Sequence, residues 1–143
     1  MTQVRQLLEL KGSTVYSITP EAPVREAIKL MAERRIGALL VMHDAHLVGV
    51  VSERDYARKV ILQGRSSAAT AVADIMTSEP LTVVGPETDI FDCMHLCTDG
   101  HVRHLPVVEN SVVIGIISTG DLVKAVIDAQ AEQIEHMERY ITS

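Results

Sequence analysis

The sequence predicts an α+β protein built from two copies of one β-α-β-β-α unit. Residues 49–55 read glycine, two β-branched residues, serine, two variable residues and aspartate, and residues 115–121 repeat this order. The two stretches lie 66 positions apart, and the offset holds without a gap from residue 18 to about residue 61. One unit is too small to bury its own sheet. We therefore expect the two copies to pack sheet to sheet with pseudo-two-fold symmetry.

Local patterns predict the elements of the first copy. Pro23 suits the first turn of a helix, because its missing N–H would have no partner there. Apolar residues then recur at i, i+3, i+4 and i+7, which gives this helix one buried face before Gly37 ends it. The other predicted elements are a short helix, a strand, the two strands of a hairpin and a second helix, at residues 4–10, 15–18, 38–42, 47–51 and 53–63.

The second copy repeats this order. Cys93 and Cys97 take the places of Ala27 and Met31, so both thiols are expected on the buried face of a helix. The predicted organisation is a first repeat, a small polar linker, a second repeat and a helical extension, at residues 4–64, 65–71, 72–128 and 129–143.

The C-terminal helix outlasts the repeat and is predicted to continue to about residue 140. Its apolar residues lie near one stripe, which needs an apolar partner. We expect the stripe to pack on a second subunit in a homodimer, with packing on its own chain as the alternative. The stripe comprises Leu122, Val126, Ile127, Ile134 and Met137.

Composition argues against several classes of protein. The net charge is −6 and aromatic residues make up 3% of the chain, whereas nucleic-acid binding calls for a basic patch or stacking rings. The longest apolar runs reach about six residues, far short of the roughly 20 that span a bilayer. The first residues lack a signal-peptide pattern, and two cysteines make no disulfide framework. We expect a cytoplasmic protein that binds neither nucleic acid nor membrane.

The repeated serine and aspartate have two interpretations. In the structural one they form capping boxes, in which the serine accepts from the backbone and the acid reaches back. In the functional one, a helix start and a serine hydroxyl suit a phosphate, while an aspartate accepts hydrogen bonds from the two hydroxyls of ribose. A glycine near the strand end also lets another group approach the backbone. The same geometry therefore suits a nucleotide.

The duplicated Gly-apolar-apolar-Ser-x-x-Asp motif, each copy preceded by a strand–helix–hairpin unit, resembles a tandem pair of cystathionine-β-synthase (CBS) domains. Residues 102–108 are also typical of the second repeat of that family. The resemblance covers roughly residues 4–128. It implies two clefts between face-to-face sheets that bind AMP, ADP, ATP, NAD(H) or S-adenosylmethionine as effectors. It further implies regulation of an unknown protein, without catalysis and without a required cofactor.

The resemblance also assigns roles to individual residues. Asp55 and Asp121 would hold ribose hydroxyls, and Ser52 and Ser118 would lie near phosphate. The early strands would contact adenine, and residues opposite them would form the walls. The adenine contacts would be Tyr16 and Ile18 in one repeat and Thr82 and Val84 in the other. The walls would be Ala38, Leu39, His104, Leu105 and Pro106.

The two clefts are expected to differ chemically. Arg103 and His104 are natural phosphate partners, but residues 37 and 38 at the equivalent positions carry no charge. Arg54 stands where the second copy has Gly120. We expect the clefts to differ in affinity or in preferred ligand.

Two further interpretations stay open. One is a structural or dimerisation domain whose clefts remain empty. The other is a metal- or redox-linked sensor that uses Cys93 and Cys97, with histidines 95, 101 and 104 close in sequence. Catalysis by the serines is disfavoured, since no histidine recurs beside them as a base.

Overall fold

The computed structural model describes residues 2–78 and 81–142. The chain forms two units, whose bounds differ from those of the sequence repeats. One unit spans Val15–Leu81, and the other joins Met1–Thr14 to Thr82–Ser143. The helix that opens the first repeat therefore belongs to the unit of the second repeat. Ser143, the last residue of the predicted extension, lies outside the described residues.

The Val15–Leu81 unit contains a three-stranded sheet. Strand β1 (Ser17–Ile18) runs parallel to β2 (Ala38–His43), which pairs antiparallel with β3 (His46–Ser52). Helix α2 (Val24–Arg34) connects β1 to β2, and α3 (Glu53–Tyr56) follows β3. The predicted buried face of α2 is confirmed. The core of this unit consists of Val24, Ala27, Met31, Leu39, Val41, Val51, Val60, Val72 and Ile75.

The other unit combines a hairpin with three helices. Helix α1 (Val4–Lys11) packs with α4 (Ile90–Gly100), the antiparallel pair β4 (His104–Glu109) and β5 (Val112–Ser118), and α5 (Thr119–Thr142). Cys93 and Cys97 are buried on α4, as the repeat predicts. The core of this unit consists of Val4, Leu7, Leu8, Val84, Ile90, Cys93, Cys97, Leu105, Val107, Ile117 and Leu122.

The early strand is shorter than predicted in both repeats. In the first it covers Ser17–Ile18, and in the second Val84 alone forms a parallel bridge, to Val107. The predicted strand at Thr82 is therefore wrong. Val84 still exchanges two backbone hydrogen bonds with the neighbouring strand, donating to Pro106 and accepting from Val108. The second repeat thus keeps this contact at the equivalent position, but the strand itself is reduced to one residue.

Both hairpins turn through two residues in the left-handed region. Asp44 and Ala45 have φ values of 47° and 67°, and Asn110 and Ser111 have φ values of 52° and 65°. Two successive positive φ values match the right-handed twist of the flanking strands, which explains a tight hairpin without a glycine. The predicted hairpins are confirmed.

Two helices end on left-handed residues that are not glycine. Arg35 caps α2 with φ 55°, and His101 caps α4 with φ 54°. These positions are 66 apart, so the repeat conserves the backbone conformation while the side chain differs. The prediction that Gly37 ends α2 is wrong, because the chain has already left the helix at Arg35.

The helix predicted for residues 53–63 is not a single α-helix. Its first turn is α3, after which Ala57–Ile61 forms a π-helical turn. The segment that repeats the N-terminal helix is likewise reduced to a 3₁₀ turn, Val72–Asp74. Within the described residues, no helix is both long and apolar enough to cross a membrane.

At each of the two motif glycines, another segment of the chain lies very close to the glycine backbone. A Cβ on Gly49 would lie 2.6 Å from Sδ of Met76 and 2.9 Å from the carbonyl oxygen of Thr77. A Cβ on Gly115 would lie 2.7 Å from Cδ2 of Leu8. The close approach predicted from these glycines therefore serves internal packing within each unit.

Helix α5 carries its apolar residues on two sides, where the sequence predicts one stripe. Leu122 is fully buried, and Ala125 and Val126 pack against the same core. In contrast Ile127, Ile134 and Met137 are 57%, 59% and 57% exposed. Burial against its own unit thus extends along α5 no further than Ala129.

Candidate functional site

The first motif forms a complete capping box where β3 meets α3, here called the Asp55 site. The Ser52 hydroxyl accepts a hydrogen bond from the Asp55 backbone N–H at 3.2 Å. Carboxylate oxygen Oδ2 of Asp55 accepts from the Ser52 N–H at 2.9 Å and from its hydroxyl at 3.1 Å. The predicted capping role is confirmed, and it fixes the orientation of the carboxylate.

The second motif has the same geometry where β5 meets α5, here called the Asp121 site. The Ser118 hydroxyl accepts from the Asp121 N–H at 3.1 Å, and Oδ2 of Asp121 accepts from the Ser118 N–H at 2.8 Å. The two sites occupy different units and each is built from residues of one unit.

The helix starts offer fewer N–H groups to an anion than the motif suggests. The first helical N–H already donates to a neighbouring carbonyl, Glu53 to Gly37 at 3.0 Å and Thr119 to Arg103 at 2.9 Å. The third donates to the serine of the capping box. Because these donors are used internally, a phosphate at either site would depend on cationic side chains.

A lysine contacts each motif aspartate. Lys11 Nζ lies 2.7 Å from Oδ2 of Asp121 and also donates to the Ile116 carbonyl at 2.7 Å. Lys59 Nζ lies 3.3 Å from Oδ1 of Asp55 and donates to the Ile75 carbonyl at 2.9 Å. The two lysines come from unrelated sequence positions, on α1 and in the π-helical turn. Both sites therefore combine a carboxylate with an ammonium group.

The predicted walls lie beside the motif residues because of the strand register. Ala38 pairs with Ser52 and Leu39 with Val51 in the first hairpin. The second hairpin repeats this register, with His104 opposite Ser118, followed by Leu105 and Pro106 along β4. Ala38, Leu39, Leu105 and Pro106 are buried, so among these wall residues only His104 is partly exposed.

The early-strand residues lie one strand further across the sheet. Tyr16 and Ile18 are half-buried, and the Tyr16 ring lies 5.1 Å beneath the guanidinium of Arg34. This distance is within the range of a cation–π contact. In the second repeat Thr82 is half-buried and Val84 is buried. The register places Ile18 two strands away from Ser52, and the bridge from Val84 to Val107 places Val84 two strands away from Ser118.

The charged residues that distinguish the sites occupy different environments. Arg54 and Arg103 are exposed beside their helix starts, whereas His104 is half-buried. Burial lowers the pKa of His104, with Arg103 and Lys11 lowering it further and the Asp121 carboxylate opposing them. The neutral imidazole is therefore favoured beside the Asp121 site.

The Asp121 carboxylate is stabilised in its charged form. Burial raises its pKa, but the Lys11 hydrogen bond and the Ser118 N–H lower it by more, so the pKa lies below its ordinary value. An ionised carboxylate with fixed orientation is a suitable acceptor for a pair of hydroxyls.

Comparison with known proteins identifies the family. A family model described as CBS domain matches residues 9–61 and 72–128. The chain belongs to the CBS-domain family. Its paired CBS repeats form a regulatory module, and the predicted resemblance is confirmed.

Relatives of this CBS pair include one protein of Arabidopsis thaliana and two solved structures. CBSX3, a mitochondrial CBS domain-containing protein, is 38% identical over 98% of this chain and 72% of its own. A putative signal-transduction protein with CBS domains from Burkholderia ambifaria MC40-6 is 51% identical, with a TM-score of 0.87 over 90% of this chain and 96% of its own. The CBS domain pair of protein MJ0100, solved with 5′-methylthioadenosine and S-adenosyl-L-methionine, is 19% identical, with a TM-score of 0.80 over 90% of this chain and 98% of its own. The last comparison shows a shared fold.

Sequence reasoning missed both lysines of the CBS sites. Lys59 follows Asp55 by four residues, a spacing that places the two side chains together on a helix, so this pair had a signal. Lys11 is 110 positions from Asp121 and belongs to the other sequence repeat. No local pattern relates them, because their proximity depends on α1 joining the unit of the second CBS repeat.

The two cysteines of the second CBS repeat are poorly suited to redox chemistry. Burial raises the pKa of Cys93 to about 11, with negative charge on Cys97 and Asp92 adding to the effect. Burial also raises the pKa of Cys97. The thiolate is the reactive form, so both groups are nearly inert at neutral pH. Across residues 2–78 and 81–142, no three His, Cys, Asp or Glu side chains converge as metal ligands would.

Acidification is expected to destabilise this CBS pair through His104. The pKa of His104 is about 6.5 in the unfolded chain and lower in the folded one, so protons bind preferentially to the unfolded chain. Its contribution to stability is present above pH 6.5 and is lost as the pH falls through the folded-state pKa. Urea unfolding at pH 7, 6 and 5 should show a smaller decline for His104→Ala, whose alanine matches Ala38. Equal declines in the two proteins would contradict this prediction.

Proposed function

We propose that this CBS pair is a regulatory sensor that binds adenosine-containing ligands at the Asp55 and Asp121 sites and has no catalytic activity of its own. The observation that carries the proposal is the carboxylate–lysine pair at each site. The carboxylate suits the two ribose hydroxyls, and the lysine suits a phosphate. Two lysines from unrelated positions supply the same chemistry beside two equivalent aspartates.

The complex of MJ0100 with two adenosyl compounds supports this choice of ligand class. Neither of those compounds is a nucleotide, so AMP, ADP, ATP and NAD(H) remain proposals for this chain. We assign the adenine contacts to Tyr16 and Ile18 in one site and to Thr82 and Val84 in the other. The strand residues at the remaining walls are Ala38, Leu39, His104, Leu105 and Pro106.

The two sites are proposed to prefer different ligands. Each site has a lysine on its aspartate, Lys11 or Lys59, and an exposed arginine beside its helix start, Arg103 or Arg54. The half-buried imidazole of His104, which Ala38 replaces in the Asp55 site, is what distinguishes them. The sites should therefore differ in affinity or in preferred ligand, and calorimetric titration that shows two identical, independent sites would contradict this.

Binding would act on a regulated protein that reads the conformation of the module. A ligand shifts such an equilibrium only by its differential affinity for the two states. We further propose a cytoplasmic location and a homodimer, with the dimer surface argued below.

A thermal-unfolding panel tests the proposed function. AMP, ADP, ATP, NAD(H) and S-adenosylmethionine are added separately, and a ligand at 100 times its dissociation constant should add about 2.7 kcal/mol of stability. Asp55→Ala and Asp121→Ala should each remove the contribution of one site, and the double variant should remove both. Each variant is compared with its own ligand-free form, because losing a cap also costs about 0.5–2 kcal/mol.

One observation favours a ligand-free structural domain as the second candidate. Both capping boxes satisfy their serine and aspartate internally. If no adenosyl compound raises the unfolding temperature, this candidate replaces the sensor.

A further inference from the structure

Helix α5 has a second apolar side that its own unit leaves exposed. Along this side, from residue 123 to residue 141, successive residues are separated by four, three, four, three and four positions, and all but one of them are apolar. At 100° per residue this side lies about 110° around the helix from Leu122, Ala125 and Val126, which face the core. We call it the α5 seam. It consists of Val123, Ile127, Gln130, Ile134, Met137 and Ile141.

The α5 seam is exposed along its whole length. Val123 is 41% exposed, Ile134 59% and Ile141 77%. From residue 130 to residue 141 every position of the helix is exposed, so this half makes no core of its own. A helix of this length is marginal in water without packing on an apolar surface. The second half of α5 therefore needs a partner.

The spacing of the seam selects the kind of partner. Alternating intervals of three and four residues are the a and d positions of a coiled coil, which fit the same positions of another helix. A second copy of α5 supplies such a helix. We propose that two copies of this chain associate through antiparallel pairing of their α5 seams, with Gln130 of each copy facing Ile134 of the other.

Charge complementarity favours the antiparallel orientation in this register. Lys124 and Glu138 occupy flanking e positions, and antiparallel pairing brings Lys124 of one copy beside Glu138 of the other, twice per dimer. The same register apposes Ala131 with Ala131 and Gln133 with Gln133, without any like-charge contact. Parallel pairing would instead place Lys124 beside Thr119 and bury two Gln130 side chains against each other.

The length of the contact is sufficient for a modest interface. From Val123 to Ile141 the helix rises about 27 Å at 1.5 Å per residue. Five apolar side chains from each copy line this distance, and the two Lys124–Glu138 pairs between the copies set the register. This inference rests on the homodimer named in the proposed function and specifies its surface, but it does not depend on ligand binding.

Sedimentation equilibrium tests the association. The native chain should have the mass of a dimer at about 100 µM, a concentration chosen to reveal even the weak end of such interfaces. Ile134→Glu should give a monomer that loses helical circular dichroism from the second half of α5 while the urea unfolding of the core is preserved. Lys124→Glu should weaken the dimer, and Lys124→Glu with Glu138→Lys should restore it. Glu132→Lys, on the opposite side of α5, is the matched control and should leave the mass unchanged.

Mixed disulfide formation tests the orientation. A tagged Gln130→Cys chain is mixed with an Ile134→Cys chain and oxidised, while the native thiols stay buried. The expected product is the mixed dimer of the two variants. Cross-linking of Gln130→Cys with itself alone would establish a parallel dimer and overturn the orientation. A monomeric native chain, or a dimer that survives Ile134→Glu, would overturn the proposal as a whole.

Discussion

Replacing Lys11 with methionine is expected to reduce the preference of the Asp121 site for AMP over adenosine about tenfold or more. The ammonium group of Lys11 contacts Oδ2 of Asp121. A ribose must displace it, and the released ammonium group can then bind the phosphate of AMP. A hydrogen bond to a charged group contributes about 1.5–3 kcal/mol, and about 1.4 kcal/mol is a factor of ten in affinity. Adenosine lacks the phosphate, so it should bind the variant as well as or better than the native site.

The measurement uses calorimetric titration of both ligands in an Asp55→Ala background, where only the Asp121 site remains. Lys29→Met, which removes an exposed lysine from α2, is the matched control and should leave the ratio of the two affinities unchanged. An unchanged ratio in Lys11→Met would show that Lys11 does not contact phosphate. If the Asp55→Ala chain with Lys11 intact binds neither AMP nor adenosine, the proposed function itself is contradicted.

Replacing Gly49 with alanine is expected to destabilise the Val15–Leu81 unit by about 1–3 kcal/mol, the usual cost of overpacking. The new Cβ would lie 2.9 Å from the Thr77 carbonyl oxygen. That carbonyl accepts from the Val50 N–H, and the Thr77 N–H donates back to Val50. The backbone at residue 77 therefore cannot move away without straining two hydrogen bonds.

The matched comparison is Gly115→Ala in the other unit. Its Cβ would meet the side-chain end of Leu8, which can move by a rotation about its own bonds. Urea unfolding should therefore show a smaller loss for Gly115→Ala than for Gly49→Ala. The reverse order would mean that the packing of Leu8 is more rigid than the bridge between residues 50 and 77.

The elements that the sequence predicted well depend on local pattern and on the repeat. The hairpins follow from two apolar runs, and the offset of 66 placed His104 opposite Ser118 just as Ala38 lies opposite Ser52. The buried position of Cys93 followed from Ala27 in the same way. These features recur because each copy solves the same packing problem.

The features that the sequence did not predict depend on contacts between distant segments. Arg35 and His101 adopt left-handed conformations that propensity assigns to glycine, so tertiary structure overrides the local preference. The contact of Lys11 with Asp121 requires α1 to lie in the unit of the second repeat. The motif glycines did predict a close approach, although the group that approaches is the chain itself.

Helix α1 belongs to the first sequence repeat but packs in the unit of the second. The segment that is duplicated in the sequence therefore differs from the segment that folds as one unit. A fragment cut at the repeat boundary, residues 4–64, would lack the bridge from Val50 to Thr77 and would carry a helix whose core lies elsewhere. The segment Val15–Leu81 is instead an insertion within a discontinuous unit that contains both ends of the chain. Changes in the first eleven residues are thus felt at β5 and α5, more than a hundred positions along the chain.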